Sequence, residues 1–420
     1  MSTLYKVYSY LKQMKNREIS FQNLINKKIK EVSEQETYLI RDSLKSIVNR
    51  YYFLSWEQNR ILPLENQDIK DYFICALGTY HYVKNVDIDS LVNSFKQDNV
   101  HFNETLPIDE FKKTLEGLNG STLLLSEKEN EIMVKRLAIN YSYPEWIVKM
   151  MIKHFGIKHT YKALAASRKS IKIALNCNTF LTNREKLITS NPSLYEPGVL
   201  TNNTLRYIGK DKIIDLDDFK KNFIFVEDEA SQLLVDKLDL NPGDETLLVC
   251  DDKGTIALDL AMHQKDVGNI NVAAPDVIIY NSVRSLANRF KIHSLNVFET
   301  NINLLITHVP ENSCDKVLLI APSSSLGLVR RKPATLLALK REELDSLIAE
   351  QKRQLDEVSR FVKRDGIILY SVFTYNKKES YLIIEEFLKE HDNFSLVEEK
   401  QLFANEGPSD GLYYAILKKD

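Results

Sequence analysis

Glycine, proline and cysteine are all scarce in this chain. The 420 residues include only 13 glycines and 11 prolines, which excludes a collagen-like tract or a low-complexity linker. The cysteines are scattered, and none forms a CxxC pair; they are Cys75, Cys177, Cys250 and Cys314. This spacing argues against a zinc site and a disulfide framework, and the histidines show no metal-ligand spacing either. We therefore expect no metal site.

Long apolar runs and an excess of positive charge are missing too. No run approaches the roughly 18 apolar residues of a membrane-spanning helix, and the N-terminus lacks the apolar core of a signal peptide. We therefore expect a cytoplasmic protein with no membrane partner. The formal net charge is −2, so any contact with nucleic acid must come from local basic patches.

The pattern of apolar residues predicts three domains. Residues 1–130 carry apolar side chains at helical spacing, as in 33–54 and 68–83, and predict an all-helical bundle. Residues 135–221 predict a small connecting α+β domain of the RNA-binding type, in which a helix begins near Pro144 and a short strand covers 172–176. Residues 222–420 predict a third domain.

The third domain alternates strands with helices. We expect strands at 246–250, 269–273, 317–321, 367–372 and 412–417, and a long helix over 342–362 that Asp365-Gly366 ends. Such alternation favours a doubly wound α/β sheet, whose ligands bind beyond the carboxyl ends of the strands. The loops after Cys250, Ala273, Ala321 and Phe373 are therefore the candidate site.

Several segments of the chain resemble one family in order and spacing. Residues 226–233 read VEDEASQL, residues 315–333 read DKVLLIAPSSSLGLVRRKP, Tyr370-Ser371 precedes Phe373, and residues 409–415 read SDGLYYA. They resemble VQDEASQL, DRILLDAPCSGLGVLRRKP, YSTCS and DGFFYA of the RsmB/Sun/Fmu family of bacterial rRNA cytosine-5 methyltransferases. The resemblance implies a NusB-like helical domain at the N-terminus and a Rossmann-like methyltransferase domain that binds S-adenosylmethionine (SAM).

The resemblance also implies a catalytic apparatus that this chain has lost. In the family, one cysteine thiolate attacks carbon 6 of cytosine, a second assists elimination, and an aspartate hydrogen-bonds the base; thiolate is both nucleophile and leaving group. The attacking cysteine's position is Phe373, the eliminating cysteine's is Ser323 and the aspartate's is Ile320. We therefore expect no intact catalytic site. The run Ser323–Ser325 lacks the G-x-S-x-G setting and an obvious histidine partner, and predicts a loop of small residues.

The cofactor loop departs from the family pattern D-x-C-A-A-P-G-G-K-T. Residues 248–255 read LVCDDKGT, so one glycine remains, and the candidate cofactor-binding residues are Cys250, Asp251, Asp252 and Gly254. The acid that would hold the ribose hydroxyls is replaced by Ala274, and Asp276 lies two residues on. We expect SAM binding to be weak or lost.

The basic cluster Arg330-Arg331-Lys332 is the candidate RNA contact, because the family places RRKP beside its active-site cleft. The first hypothesis is a catalytically inactive RsmB-like protein that binds ribosomal RNA, in small-subunit assembly. Two alternatives stay open. One is an active SAM-dependent rRNA 5-methylcytosine methyltransferase, and the other is a scaffold that binds a protein partner through the NusB-like domain.

Overall fold

The described chain divides into two compact units. A computed structural model describes residues 1–24, 33–250, 252–405, 407 and 409–420. The first unit contains Met1–Arg168 with Lys332–Leu339, and the second contains Lys169–Arg331 with Lys340–Asp420. The helices between Met133 and Ser167, which we expected in the connecting domain, lie in the first unit. The division into three domains stays a prediction.

The first unit is helical, which is consistent with the expected NusB-like domain. Its core comes from apolar residues three or four apart, such as Leu4, Val7, Leu11 and Met14 in the first helix. Its helices are α1 (Thr3–Lys15), α2 (Phe21–Asn23), α3 (Glu34–Ile61), α4 (Gln67–Tyr82), α5 (Ile88–Asp98), α6 (Ile108–Leu118), α7 (Glu127–Glu131), α8 (Met133–Tyr141), α9 (Glu145–Ser167) and, from the later segment, α15 (Thr335–Ala338).

A kink in α3 joins the residue after α8 to the first unit. Helical geometry breaks at Arg50 (φ −126°, ψ 15°). The Ser142 hydroxyl, just after α8, accepts hydrogen bonds from the backbone N–H groups of Tyr52 (3.0 Å) and Phe53 (3.2 Å). Backbone donors freed by a kink need such partners, so the segment after α8 is fixed to α3.

The second unit begins with a small α+β region, as expected. Its elements are β1 (Ile173–Cys177), α10 (Arg184–Ser190), β2 (Tyr195–Pro197), β3 (Thr204–Tyr207), α11 (Asp217–Lys220) and β4 (Ile224–Val226). The strands form an antiparallel sheet in the order β2-β3-β1-β4. Leu175, Cys177, Tyr195 and Leu205 fill the core beneath it.

The Rossmann-like sheet predicted for the C-terminal region is confirmed. Its elements are α12 (Glu229–Lys237), β5 (Glu245–Val249), α13 (Thr255–His263), β6 (Asn269–Ala274), α14 (Val277–Phe290), β7 (Leu295–Glu299), β8 (Cys314–Ile320), α16 (Leu344–Ser359), β9 (Val362–Val372), α17 (Tyr381–Glu390), β10 (Phe394–Leu402) and β11 (Leu412–Lys419). The sheet order is β10-β11-β9-β8-β5-β6-β7, with β11 antiparallel to both neighbours and the other pairs parallel.

The long helix predicted over 342–362 is too long. It ends at Ser359, and Val362 already begins β9. Phe361 and Val362 are buried like the apolar face of α16. Because they are apolar at helical spacing, the sequence pattern extended the predicted helix into β9. Asp365 (φ 63°) lies in β9, where the pairing with β8 shifts register, and does not end a helix.

No helix among the described residues combines the length and apolar character needed to cross a membrane.

Candidate functional site

The order of the strands places the candidate site between β5 and β8. These strands are parallel neighbours, and from β5 the chain continues to β6 on one side, whereas from β8 it continues to β9 on the other. This reversal opens a crevice beyond the carboxyl ends of the strands, where α/β sheets bind ligands. Cys250, Ile320 and Phe373, which follow or end three of these strands, contribute to a common apolar cluster.

The backbone of the loop after β5 is hydrogen-bonded to the side chain of Asp252, within the same loop. Asp252 Oδ2 accepts hydrogen bonds from the backbone N–H groups of Gly254 (2.7 Å) and Ile256 (3.2 Å), and the Thr255 hydroxyl lies 3.3 Å away. Asp251 lies outside the described residues. Free N–H groups at the start of a helix attract anions. At α13 Asp252 already occupies two of these donors, so the usual place for an anionic ligand holds a charge of the same sign.

Gly254 is required by both conformation and space. Its φ is 109°, and a Cβ there would lie 2.9 Å from Val283 Cα of α14. The Ser282 hydroxyl donates to the Lys253 carbonyl oxygen at 2.8 Å. The remaining glycine of the loop therefore allows the loop to pack closely against α14.

The loop after β6 contains no acid at the end of the strand. Ala274 is fully buried there, and its carbonyl oxygen accepts a hydrogen bond from Thr300 N at 2.9 Å. Asp276 is exposed, and its Oδ1 accepts from Ile278 N (2.8 Å) and Ile279 N (2.9 Å). Asp276 is thus the N-cap of α14.

The loop after β8 places Ser323 in a local turn. Ser323 Oγ accepts a hydrogen bond from Ser325 N at 3.3 Å, and within the described part of the chain no basic side chain is bonded to it. Ile320, at the end of β8, is buried and apolar. Ile320 has no polar side-chain atom, and a serine hydroxyl is a weak nucleophile near neutral pH unless a base activates it.

Hydrogen bonds to the Glu379 carboxylate connect the loop after β8 with the loop after β9. This buried carboxylate accepts from the backbone N–H and hydroxyl of Ser324, both at 2.7 Å. It also accepts from the Thr374 hydroxyl (2.9 Å), Asn376 Nδ2 (3.0 Å) and Gln351 Nε2 (3.2 Å). Five donors converge on one carboxylate, so the network fixes the wall of the crevice. Sequence analysis missed this residue, because no motif marks it.

Phe373 follows β9 and packs its partly buried ring against the apolar cluster. Its carbonyl oxygen accepts a hydrogen bond from Gly327 N at 3.1 Å. Gly327 in turn pairs with Gly411, whose N–H donates to the Gly327 carbonyl oxygen at 3.0 Å, and a Cβ on Gly327 would lie 1.9 Å from Gly411 O. The family-like glycines of both segments therefore hold the backbones in contact.

Arg330 and Arg331 make internal contacts. Arg330 donates to the carbonyl oxygen of Ser409 at 2.6 Å. Arg331 Nε donates to Asp410 Oδ2 at 2.7 Å, and its other nitrogen donates to Asp228, which also caps α12 through Ala230 N at 2.9 Å. Burial lowers the pKa of Arg330, whereas burial and the Asp228 carboxylate raise the pKa of Asp410 to about 7. The two arginines stabilise the fold.

Lys332 differs from the two arginines. Its side chain is exposed, and no ion pair is recorded for it within the ranges that the structure describes. RNA contact by the cluster stays a prediction, and the geometry favours Lys332 over its neighbours as the accessible charge.

Comparison with known proteins finds a family similarity in the C-terminal region. Residues 235–417 match the family model described as 16S rRNA methyltransferase RsmB/F. The match covers less than half of the chain, and over these residues the chain is similar to the RsmB/F family. The family consists of SAM-dependent RNA methyltransferases.

Curated relatives carry the same family name. The probable ribosomal RNA small subunit methyltransferase B of Bacillus subtilis (strain 168) is 25% identical over 264 residues, which are 62% of this chain and 59% of the relative. The probable enzyme of that name from Coxiella burnetii is 21% identical over 420 residues, covering 91% of this chain and 92% of the relative. The alignment with the Synechocystis relative, like that with the Bacillus one, spans 59% of the relative's length.

Solved structures support the fold of this chain. The structure of PH0851 has a TM-score of 0.75 at 19% identity, and the match covers 92% of this chain and 91% of that one. NSun6 from Pyrococcus horikoshii with SFG has a TM-score of 0.60 at 12% identity, with 66% and 99% covered. At such identities the likeness concerns the fold alone.

Proposed function

We propose that this RsmB/F-family protein is a catalytically inactive RNA-binding protein that contacts ribosomal RNA, in assembly of the small ribosomal subunit. The observation that carries the proposal is the apolar side chain of Phe373 where the family resemblance implies the attacking cysteine. A phenyl ring cannot add to carbon 6 of cytosine, and without that addition carbon 5 is not activated.

Ser323 and Ile320 support the same proposal. The Ser323 hydroxyl is engaged in a local turn, and Ile320 is 8% exposed and has no polar side-chain atom. Deprotonating a serine needs an adjacent general base, and the groups around Ser323 offer none in the described part of the chain. Three roles of the family reaction thus lack their functional groups.

The residues of the cofactor loop do not fit SAM. The Asp252 carboxylate occupies backbone donors at the start of α13, where the carboxylate of the methionine moiety would meet like charge. Ala274 has no side-chain acceptor for ribose hydroxyls, and Asp276 is engaged as a helix cap. We therefore propose that SAM binding is weak or lost.

Ribosomal RNA is the proposed partner because the curated relatives are named as ribosomal RNA small subunit methyltransferases. RNA binding can be retained when methyl transfer is lost, since phosphate and base contacts do not need the two cysteines. A protein partner of the helical first unit stays an alternative, and it would become the better proposal if no RNA were bound.

A methyl-transfer assay tests the proposal. Purified protein is incubated with unmodified small-subunit rRNA and labelled SAM, with an active methyltransferase in parallel. We expect no incorporation, and we expect Phe373→Cys with Ser323→Cys to restore little, because Ile320 and the cofactor loop are unchanged. Incorporation at a defined cytosine, abolished by one substitution, would establish the active-enzyme alternative instead.

A further inference from the structure

A basic groove lies in the second unit, away from the candidate site. It is a cavity of about 510 Å³ whose lining includes Phe180, Lys221, Lys265, Arg289 and Lys291. Lys265 precedes β6 and Lys291 precedes β7. β6 and β7 are parallel, so the groove lies at the amino ends of these strands. The methyltransferase crevice lies at the carboxyl ends, on the opposite side of the sheet.

The charge of the groove opposes that of the whole chain. Its lining contains four cations, Lys221, Lys265, Arg289 and Lys291, and one carboxylate, Asp266, whereas the chain as a whole has a formal charge of −2. Asp266 accepts hydrogen bonds from His293 N (3.0 Å) and Ser294 N (2.8 Å). The three lysines are exposed, and none has an ion pair recorded within the ranges described.

Hydrogen bonds between the two parts of the second unit hold the groove in shape. Arg289 Nε donates to Asn222 Oδ1 at 2.6 Å, and Asn222 Nδ2 donates back to the Arg289 carbonyl oxygen at 3.1 Å. Asn178 Nδ2 donates to the Asn222 carbonyl oxygen at 2.9 Å. The small sheet and the Rossmann-like sheet are thus joined at the groove, so a ligand would meet a preformed surface.

Exposed apolar side chains line the groove beside these charges. Phe180 is 41% exposed and Leu181 is 57% exposed, both directly after β1. Grooves that bind single-stranded nucleic acid combine cations for the phosphates with exposed rings on which bases stack. An acidic peptide would use the lysines but would gain little from the ring.

We propose that this groove binds a single-stranded segment of RNA, with a base stacked on Phe180 and phosphates near Lys221, Lys265 and Lys291. The choice of RNA rests on the function proposed above, whereas the position and the contacts rest on the groove. The protein would hold RNA on a surface opposite the crevice that family members use for chemistry.

Binding of a short oligouridylate and of a 16S rRNA fragment tests the groove. Fluorescence anisotropy is measured across a salt series for the wild type, for Lys265→Ala with Lys291→Ala, and for the control Lys389→Ala with Lys400→Ala. The control removes the same charge from exposed positions on α17 and β10, at the other end of the sheet. Circular dichroism verifies folding.

The groove variant should bind oligouridylate at least about tenfold more weakly and flatten the salt slope by about 1.4, since each phosphate contact of a single strand contributes about 0.7. The control should match the wild type. Phe180→Ala should weaken binding about five- to 150-fold with an unchanged salt slope, because a stacked base contributes about 1–3 kcal/mol.

The possible contrary results separate the two proposals. Suppose that the wild type binds the rRNA fragment and that the groove variants bind both RNAs as tightly as the wild type does. The groove proposal is then overturned, and the RNA-binding function stands. If the wild type binds neither RNA at low salt, both fail. If polyglutamate competes as well as RNA and Phe180→Ala has no effect, the groove is a site for acidic peptides instead.

Discussion

The buried carboxylate of Glu379 accepts two hydrogen bonds from Ser324, one from its backbone N–H and one from its hydroxyl, each at 2.7 Å. The pair connects the loop after β8 with the turn after β9, 55 residues apart in sequence. These are the two loops that would carry the cysteines of an active relative. In this chain the two loops are therefore held together by a buried structural acid.

The Glu379 network should be important for stability. Glu379→Gln places an amide donor among groups that are themselves donors, so we expect the free energy of unfolding of the second unit to fall by about 2–4 kcal/mol. Thermal and urea unfolding followed by circular dichroism measure the change. Glu385→Gln, at an exposed position of α17, is the matched control and should stay within about 0.5 kcal/mol of the wild type. Equal stability of the two variants would contradict the assigned role.

We likewise expect Arg331 to contribute to the stability of the fold and not primarily to RNA binding. Arg331→Ala leaves the carboxylates of Asp228 and Asp410 without their shared cation. Breaking such a partly buried network should cost about 2–4 kcal/mol in unfolding free energy. The exposed Lys332→Ala control should unfold like the wild type. A folded, equally stable Arg331→Ala variant with weakened RNA binding would restore the role expected from the sequence.

Much of the fold followed from the sequence, because five strands of the large sheet are largely apolar and buried. The two strands that were missed, β7 and β10, lie at the edges of the sheet and are only partly buried, so polar residues interrupt their pattern. The boundary at 359–362 was misplaced because a buried helix face and a buried strand are both apolar.

The candidate site was predicted less completely. The family resemblance pointed to Ile320, Ser323 and Phe373, and these residues end or follow the neighbouring strands β8 and β9. It could not show that Asp252 caps α13 or that Arg331 pairs with Asp228, because sequence spacing does not reveal how a polar side chain is paired. Glu379 lies outside every motif, and only the folded chain brings its five donors together.

His263 gives the second unit a pH dependence. Burial disfavours its charged form, but the Asp259 carboxylate at 3.2 Å outweighs burial and raises the pKa of His263 to about 9. The folded-state pKa exceeds the ordinary value of 6.5, so the pair stabilises the fold fully below about pH 6.5 and loses its contribution as the pH rises through 9. We expect His263→Gln to cost about 1–3 kcal/mol at pH 6 and little at pH 10.

Nuclear magnetic resonance of the His263 ring and unfolding at the two pH values measure these effects. His293→Gln, at an exposed position, is the control and should show no such difference between pH 6 and pH 10. A His263 ring that titrates near 6.5, or a variant whose deficit is the same at both pH values, would contradict the proposed ion pair.

The affinity for SAM should reflect the occupied start of α13. We expect the dissociation constant of the wild type to be larger than about 1 mM, which corresponds to a binding free energy below about 4 kcal/mol in magnitude.

Asp252→Asn keeps the side-chain oxygen that caps α13 but removes the charge that opposes the methionine carboxylate. Its affinity should rise a few-fold and stay weak, because Ala274 still has no side-chain acceptor for the ribose. Calorimetry with SAM and S-adenosylhomocysteine decides the matter, with Asp276→Asn as the control for the exposed cap of α14. A micromolar constant for the wild type, lost in Asp276→Asn, would mean that Asp276 holds the ribose and that the loop retains its cofactor.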